Sequence, residues 1–261
     1  MRVTISREAR PQAITLLAAA AISIILWFIP FAEILMYPFR IFVTFIHEGG
    51  HALAALLTGN TVQSLSVAMN ASGETYTTQG GQLSQIFVAS AGYIGSMAYG
   101  AFLLILIRKA VGARIVLVGS AALILALTLI YGLLKPILSL DALGGIPFTL
   151  VAGLSLTAGL ALIAKYASAR AAAFCVSLLA VQCVLNALLD LKTVFFLSSP
   201  FAPAVPTDAL NLASITGVPA LVWSVIWIAM AAGILWIAMR LYVVSRDRAS
   251  QPDLPFEEPI A

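Results

Sequence analysis

Seven long apolar runs divide this chain, and they set its class before any single residue is considered. They cover roughly Ile14–Met36, Ile41–Thr58, Ile86–Ile107, Ile115–Leu134, Ala142–Ala164, Ala171–Leu197 and Val218–Val244. A helix needs about 20 apolar residues to cross the hydrocarbon core, and most of the runs reach that length. In lipid every backbone N–H and C=O must find an internal partner, which leaves helices or closed barrels. Barrel strands would be short and alternating, whereas these runs are unbroken. The sequence therefore predicts an all-α, polytopic transmembrane bundle of six to seven helices, inserted in the lipid bilayer. Composition agrees, with 61% hydrophobic and only 10% charged residues, far from the balance of a soluble domain. One domain is expected over residues 1–250. A disordered tail, rich in Pro and acid, is expected over 251–261. The first run is too long for the apolar stretch of a cleavable signal and is expected to be a retained span.

The second run carries the chemistry. His47-Glu48-Gly49-Gly50-His51 is an HExxH motif in an apolar helix, and it holds the only two histidines of the 261 residues. At i and i+4 both imidazoles stand on one helical face and can reach one metal ion, with Glu48 beside them as a general base. Zinc is the expected metal. The run is also the shortest: its 18 residues give about 27 Å of helix, barely a crossing. The paired glycines each cost about 1 kcal/mol against alanine in a helix interior, so they are expected where another backbone packs closely.

After Thr58 the pattern changes. Val62, Leu65, Val67 and Met69 are interleaved with small polar residues, Asn70-Ala71-Ser72-Gly73 is a turn sequence, and Thr75–Thr78 is again strand-prone. A β-hairpin is predicted, with Leu65–Met69 as its edge. Gly92, Ser96 and Gly100 recur at four-residue spacing in the third run and are expected to serve helix packing.

The net charge of +3 does not point to nucleic acid, because the basic residues lie in clusters between apolar runs. Arg108, Lys109 and Arg114 form one cluster, Lys165 and Arg170 a second, and Arg240, Arg246 and Arg248 a third. Two runs separate each from the next, so all three can lie on the cytoplasmic side. Arg2, Arg7 and Arg10 do not fit this scheme unless one early segment fails to cross completely. The short motif helix, or the hairpin dipping into the membrane after it, is the candidate for that irregularity. Cys175 and Cys183 lie eight apart on one predicted helix, about 12 Å along its axis, too far to bridge each other.

A catalytic zinc takes three protein ligands and one open position, and no third histidine exists. Asp190 stands well inside the sixth run, where a charge costs at least about 2.5–3.5 kcal/mol that a cation would offset. Gln182, Asn186 and Asp190 form a polar stripe at i, i+4 and i+8. It is either a hydrogen-bonding seam or part of the site, and beside an intramembrane HExxH the site is favoured. Asp190 is the expected third ligand, and Asn186 the expected donor to the substrate backbone or a developing oxyanion. Glu33 is expected at the interface and Asp141 at a helix start. Asp208, in the Pro-rich stretch Pro200–Pro219, is the alternative ligand if that stretch folds back.

The apolar HExxH helix, the hairpin and the distant aspartate together resemble the site-2 protease-like family of intramembrane zinc metallopeptidases, from about Phe45 to Asp190. The resemblance implies hydrolysis of a peptide bond within or next to a transmembrane segment of a membrane-protein substrate. It gives His47, His51 and Asp190 to the metal and Glu48 to the base. The chain departs from the family in one respect. Asn186-Ala187-Leu188-Leu189-Asp190-Leu191 lacks the Pro and Gly of the family's Asn…Leu-Asp-Gly stretch. No PDZ- or CBS-like regulatory region is evident, so this resembles a compact member. The expected location is an integral, multi-pass one, in the cell (plasma) membrane. Two other readings stand beside it: an inactive metal-binding assembly partner, and a small ion transporter, which would call for an internal repeat that the sequence does not show.

Overall fold

A computed structural model of the chain describes residues 10–26, 29, 31–108, 111–140, 142–199, 201 and 205–244. Expectations for the tail 251–261, for Asp141, and for Arg2, Arg7, Lys109, Arg246 and Arg248 lie outside these residues. The order is α1 (Arg10–Leu26), α2 (Ala32–Leu57), β1 (Val62–Val67), β2 (Gly73–Thr77), α3 (Gln82–Arg108), α4 (Ala113–Ser139), α5 (Ile146–Tyr166), α6 (Ala169–Leu197), α7 (Asp208–Thr216) and α8 (Ala220–Val244). The expected helical bundle with one hairpin is what forms. Five of the helices (α3, α4, α5, α6 and α8) are long and apolar enough to cross a membrane.

The first two runs divide elsewhere than predicted. The sequence suggests a break near Pro38, but α2 continues through Pro38 for 26 residues. The break comes earlier, where Phe31 takes a left-handed conformation (φ 65°) and precedes α2. Proline within a helix forfeits one backbone hydrogen bond, a loss that neighbouring groups can offset in a membrane helix. α2 is therefore longer than the run that predicted it, with the motif in its second half, but it is not among the five helices apolar enough to cross.

Lipid tails are as apolar as leucine, so close packing rather than water expulsion holds such a bundle together. Phe42 and Phe45 of α2 are fully buried with Leu103 of α3, Leu117 and Ile124 of α4, and Leu179 of α6. On the opposite flank, Tyr93 and Met97 of α3 meet Leu191 of α6, Leu212 of α7 and Trp227 of α8. Gly50 is where α2 and α3 touch. A Cβ there would strike the Ala91 carbonyl oxygen. Gly50→Ala is expected to cost about 1–3 kcal/mol as overpacking, read as a lowered Tm in detergent.

The hairpin is antiparallel, with Leu65 opposite Thr75 and Val67 opposite Gly73. It folds back along α2: the Tyr37 hydroxyl donates to the Met69 carbonyl (2.7 Å) and Thr44 Oγ1 to that of Ala71 (2.7 Å). β1 is the inner strand, with Val62, Leu65 and Val67 buried. Its outer side is covered by α4 and α5, where the Val67 N–H donates to Thr149 Oγ1 (2.9 Å). Over Leu127–Leu134, α4 widens into a π-helical stretch, a form common at functional sites. Leu65 passes Gly132 within that stretch.

Arg114 at the start of α4 donates to the Ala167 carbonyl at the α5–α6 corner (3.0 Å), which brings the helix ends of the first two basic clusters together.

Candidate metal centre

The site forms where α2 runs antiparallel to the first half of α3. His51 Nδ1 lies 2.6 Å from the Val88 carbonyl oxygen. A carbonyl can only accept, so Nδ1 carries the proton and Nε2 keeps its lone pair, the tautomer a metal ligand needs. Gly92 supplies the floor. A Cβ on it would collide with Nε2 of both His47 and His51, so bare backbone leaves the space between the two nitrogens open. The ring centroids of the histidines are 4.8 Å apart.

The third donor is Asp208. Its Oδ2 lies 4.0 Å from His47 Nε2 and 3.7 Å from His51 Nε2, and the three donor atoms all fall within 4.8 Å of one another. Ligands at 2.0–2.1 Å around a tetrahedral zinc stand about 3.3 Å apart, so a small cation fits between these with a slight closing of the gaps. Asp190, the ligand expected from the sequence, does not join this group. It lines the same cleft from α6, while α7 brings in Asp208.

The Pro-rich stretch Pro200–Pro219 thus contains a helix and folds back to the site, as the alternative reading of Asp208 required. Thr207 caps α7, its side chain accepting from the Leu210 N–H (3.2 Å), and Gly217 closes it at φ 72°. Ala209 and Leu212 are fully buried and pin it to α3 and α8. Asp208 is its first residue, held over the histidines.

Glu48 is 4% exposed and held by the hairpin. Thr75 Oγ1 donates to its Oε2 at 2.7 Å. A Cβ on Gly73 would lie 2.5 Å from its Oε1, so glycine there lets β2 approach the carboxylate. Nothing in the sequence of the hairpin singles out Thr75 or Gly73, because their role comes from the hairpin's path. Thr75→Val preserves shape and removes the hydrogen bond to Glu48. Turnover is expected to fall about tenfold or more, within the range of general-base catalysis, at unchanged metal content, as measured by kinetics beside metal analysis.

The polar stripe of α6 divides by depth. Gln182 is buried and donates from Nε2 to Ser23 Oγ on α1 (2.9 Å), a seam between helices. Asn186 lines the cleft, but its amide donates back to the Gln182 carbonyl (2.8 Å) and to Gln182 Oε1 (3.1 Å). Glu33 lies exposed in the first turn of α2. The stripe of small residues in α3 divides as well. Gly92 serves the site, whereas Gly100 packs against Val184 and Cys183 of α6.

These groups open into a cleft of about 1020 Å³. Its walls are β2 with the Gln79-Gly80 connection on one side and α6 with α7 on the other. At its outer end, Ser84 Oγ donates to Thr58 Oγ1 (2.8 Å) and Asn60 donates to Ser84. On the rim, the phenol of Tyr76 is raised above its usual pKa by its hydrogen bond to Glu74 and by that residue's charge. It is therefore a protonated donor at neutral pH.

The sequence matches the Peptidase M50B-like family over residues 15–238. The chain belongs to that family. The matched span includes the HExxH helix, the hairpin and both candidate aspartates. No curated protein and no solved structure gave a match. Membership places the chain in a site-2 protease family of metallopeptidases, and with the five apolar helices it makes this an integral membrane protein.

Proposed function

We propose that this protein is a zinc-dependent intramembrane peptidase, hydrolysing a peptide bond within or next to a transmembrane segment of a membrane-protein substrate in the cell membrane. The convergence of His47, His51 and Asp208 on one point, in a cleft that Glu48 also lines, carries the reading. Two imidazoles and a carboxylate suit zinc and leave a position open. When bound, zinc would acidify water and polarise the scissile carbonyl. Glu48, held at Oε2 by Thr75, removes the proton of the attacking water as its oxygen adds to the carbonyl carbon. As the C–N bond breaks, Glu48 returns that proton to the departing amine nitrogen.

A helical substrate is a poor target, because its carbonyls are already bonded within the helix. The hairpin offers a partner for an extended one. The sequence points to Leu65–Met69 as the pairing edge, but β1 is covered on its outer side by Thr149. β2 pairs only with β1 among the described strands, and it lines the cleft beside Glu48. Strand addition to β2 would draw an unwound segment past the three ligands.

The test compares membrane proteomes of cells carrying the intact protein and the Glu48→Gln form. A membrane precursor should accumulate in the second and be cut in the first. Identical proteomes would refute proteolysis and leave a binding role.

A further inference from the structure

We infer that Tyr93 is a positioning residue that locks together the two arms carrying the metal ligands, His47 on α2 and Asp208 on α7; this rests on the metallopeptidase reading above. Tyr93 follows Gly92 on α3 and is 7% exposed. Its ring meets His47 edge-on, with centroids 4.7 Å apart at 85°. Its phenol faces the Asp208 carboxylate across the cleft that both residues line. One side chain therefore stands between the ligands of the two arms.

Tyr93 is itself braced. Its ring stacks on Trp227 of α8 at 5.1 Å and 26°. Trp227 is fully buried, and its indole Nε1 donates to Ser90 Oγ on α3 (2.8 Å). Ser90 lies three residues before Tyr93, so the tryptophan is tied back to the helix that carries the tyrosine. Ala209 and Leu212 of α7 belong to the same buried cluster as Tyr93 and Trp227.

The arrangement has a physical purpose. Asp208 begins a nine-residue helix that reaches the site from beyond α6, and its carboxylate must point at the histidines before any ion arrives. The Tyr93 hydroxyl is the neighbouring donor that would fix that direction, and partners of this kind typically change metal affinity 10- to 100-fold. The edge contact restrains the His47 ring, as aromatic pairs prefer that geometry. A tyrosine serving only as core filling needs its ring and not its hydroxyl.

Tyr93→Phe separates these roles, because it keeps the ring, the stack and the volume. Purified full-length protein in detergent is titrated with zinc, and cobalt is used as a spectroscopic probe. The variant is expected to bind zinc at least tenfold more weakly and to shift the cobalt absorption bands, at an unchanged Tm of the metal-free form. In an Asp208→Ala background, Tyr93→Phe should add nothing, since the group it orients is gone. Zinc affinity within twofold of the parent, with an unaltered cobalt spectrum, would overturn the assignment. So would an equal further loss in the Asp208→Ala background. A parent protein that binds neither metal would instead sink the metallopeptidase reading itself, so the two failures are distinguishable.

Discussion

Glu48→Gln is expected to abolish cleavage while zinc stays bound at the parent stoichiometry. The amide keeps the size of the carboxylate and can still meet Thr75 Oγ1, which lies 2.7 Å from Oε2 in the parent, but it cannot accept a proton at neutral pH. General-base steps contribute about 10²- to 10⁴-fold, and here the same group also protonates the leaving amine. Turnover should therefore fall by at least the upper end of that range. His47→Ala behaves oppositely in one respect, losing metal and turnover together. Single-turnover cleavage measured beside zinc content separates the two. A glutamine variant that still turns over would remove Glu48 from the chemistry.

The second large effect separates the two aspartates. Asp208→Ala should weaken zinc binding at least tenfold, a change of about 1.4 kcal/mol or more, because it removes one of three donors lying within 4.8 Å of one another. Asp190→Asn should leave affinity within twofold, because its carboxylate stands apart in the cleft wall. Any loss in this second variant should appear in KM instead, since the cleft wall meets substrate and not the ion. Zinc titration of both variants decides the matter. The reverse ranking would restore Asp190 as the ligand and leave α7 as a cover.

Much of this arrangement was legible in the chain. His47, Glu48 and His51 declare themselves by spacing, and alternation from Leu65 onward, followed by Asn70–Gly73, gives the hairpin. The third donor of the cluster, Asp208, was legible only as the alternative to Asp190. The cost of a charge in lipid measures depth along a helix, so it picked out Asp190. Convergence depends on how the chain returns after α6. The signals for that return were nevertheless present, with Thr207 as an N-cap before Asp208 and Gly217 as a stop. They define a short helix, and Ala209 and Leu212 give it a face to bury. Gly92 was hidden differently. In the string it is one member of a small-residue series, and only the antiparallel approach of α2 to α3 separates it from Gly100. Thr75 and Tyr93 carry no local signature, because each acts through a partner distant in sequence.

The one-sided hairpin constrains which proteins could be victims. With one strand sealed against the bundle, a guest can dock along five residues, Gly73–Thr77, or about 17 Å of stretched backbone. A target span must surrender about a turn and a half of helix before any bond is in reach. Susceptibility would then follow how easily that stretch melts, with glycine, proline or polar residues near the cut mattering more than the identity of the flanking side chains.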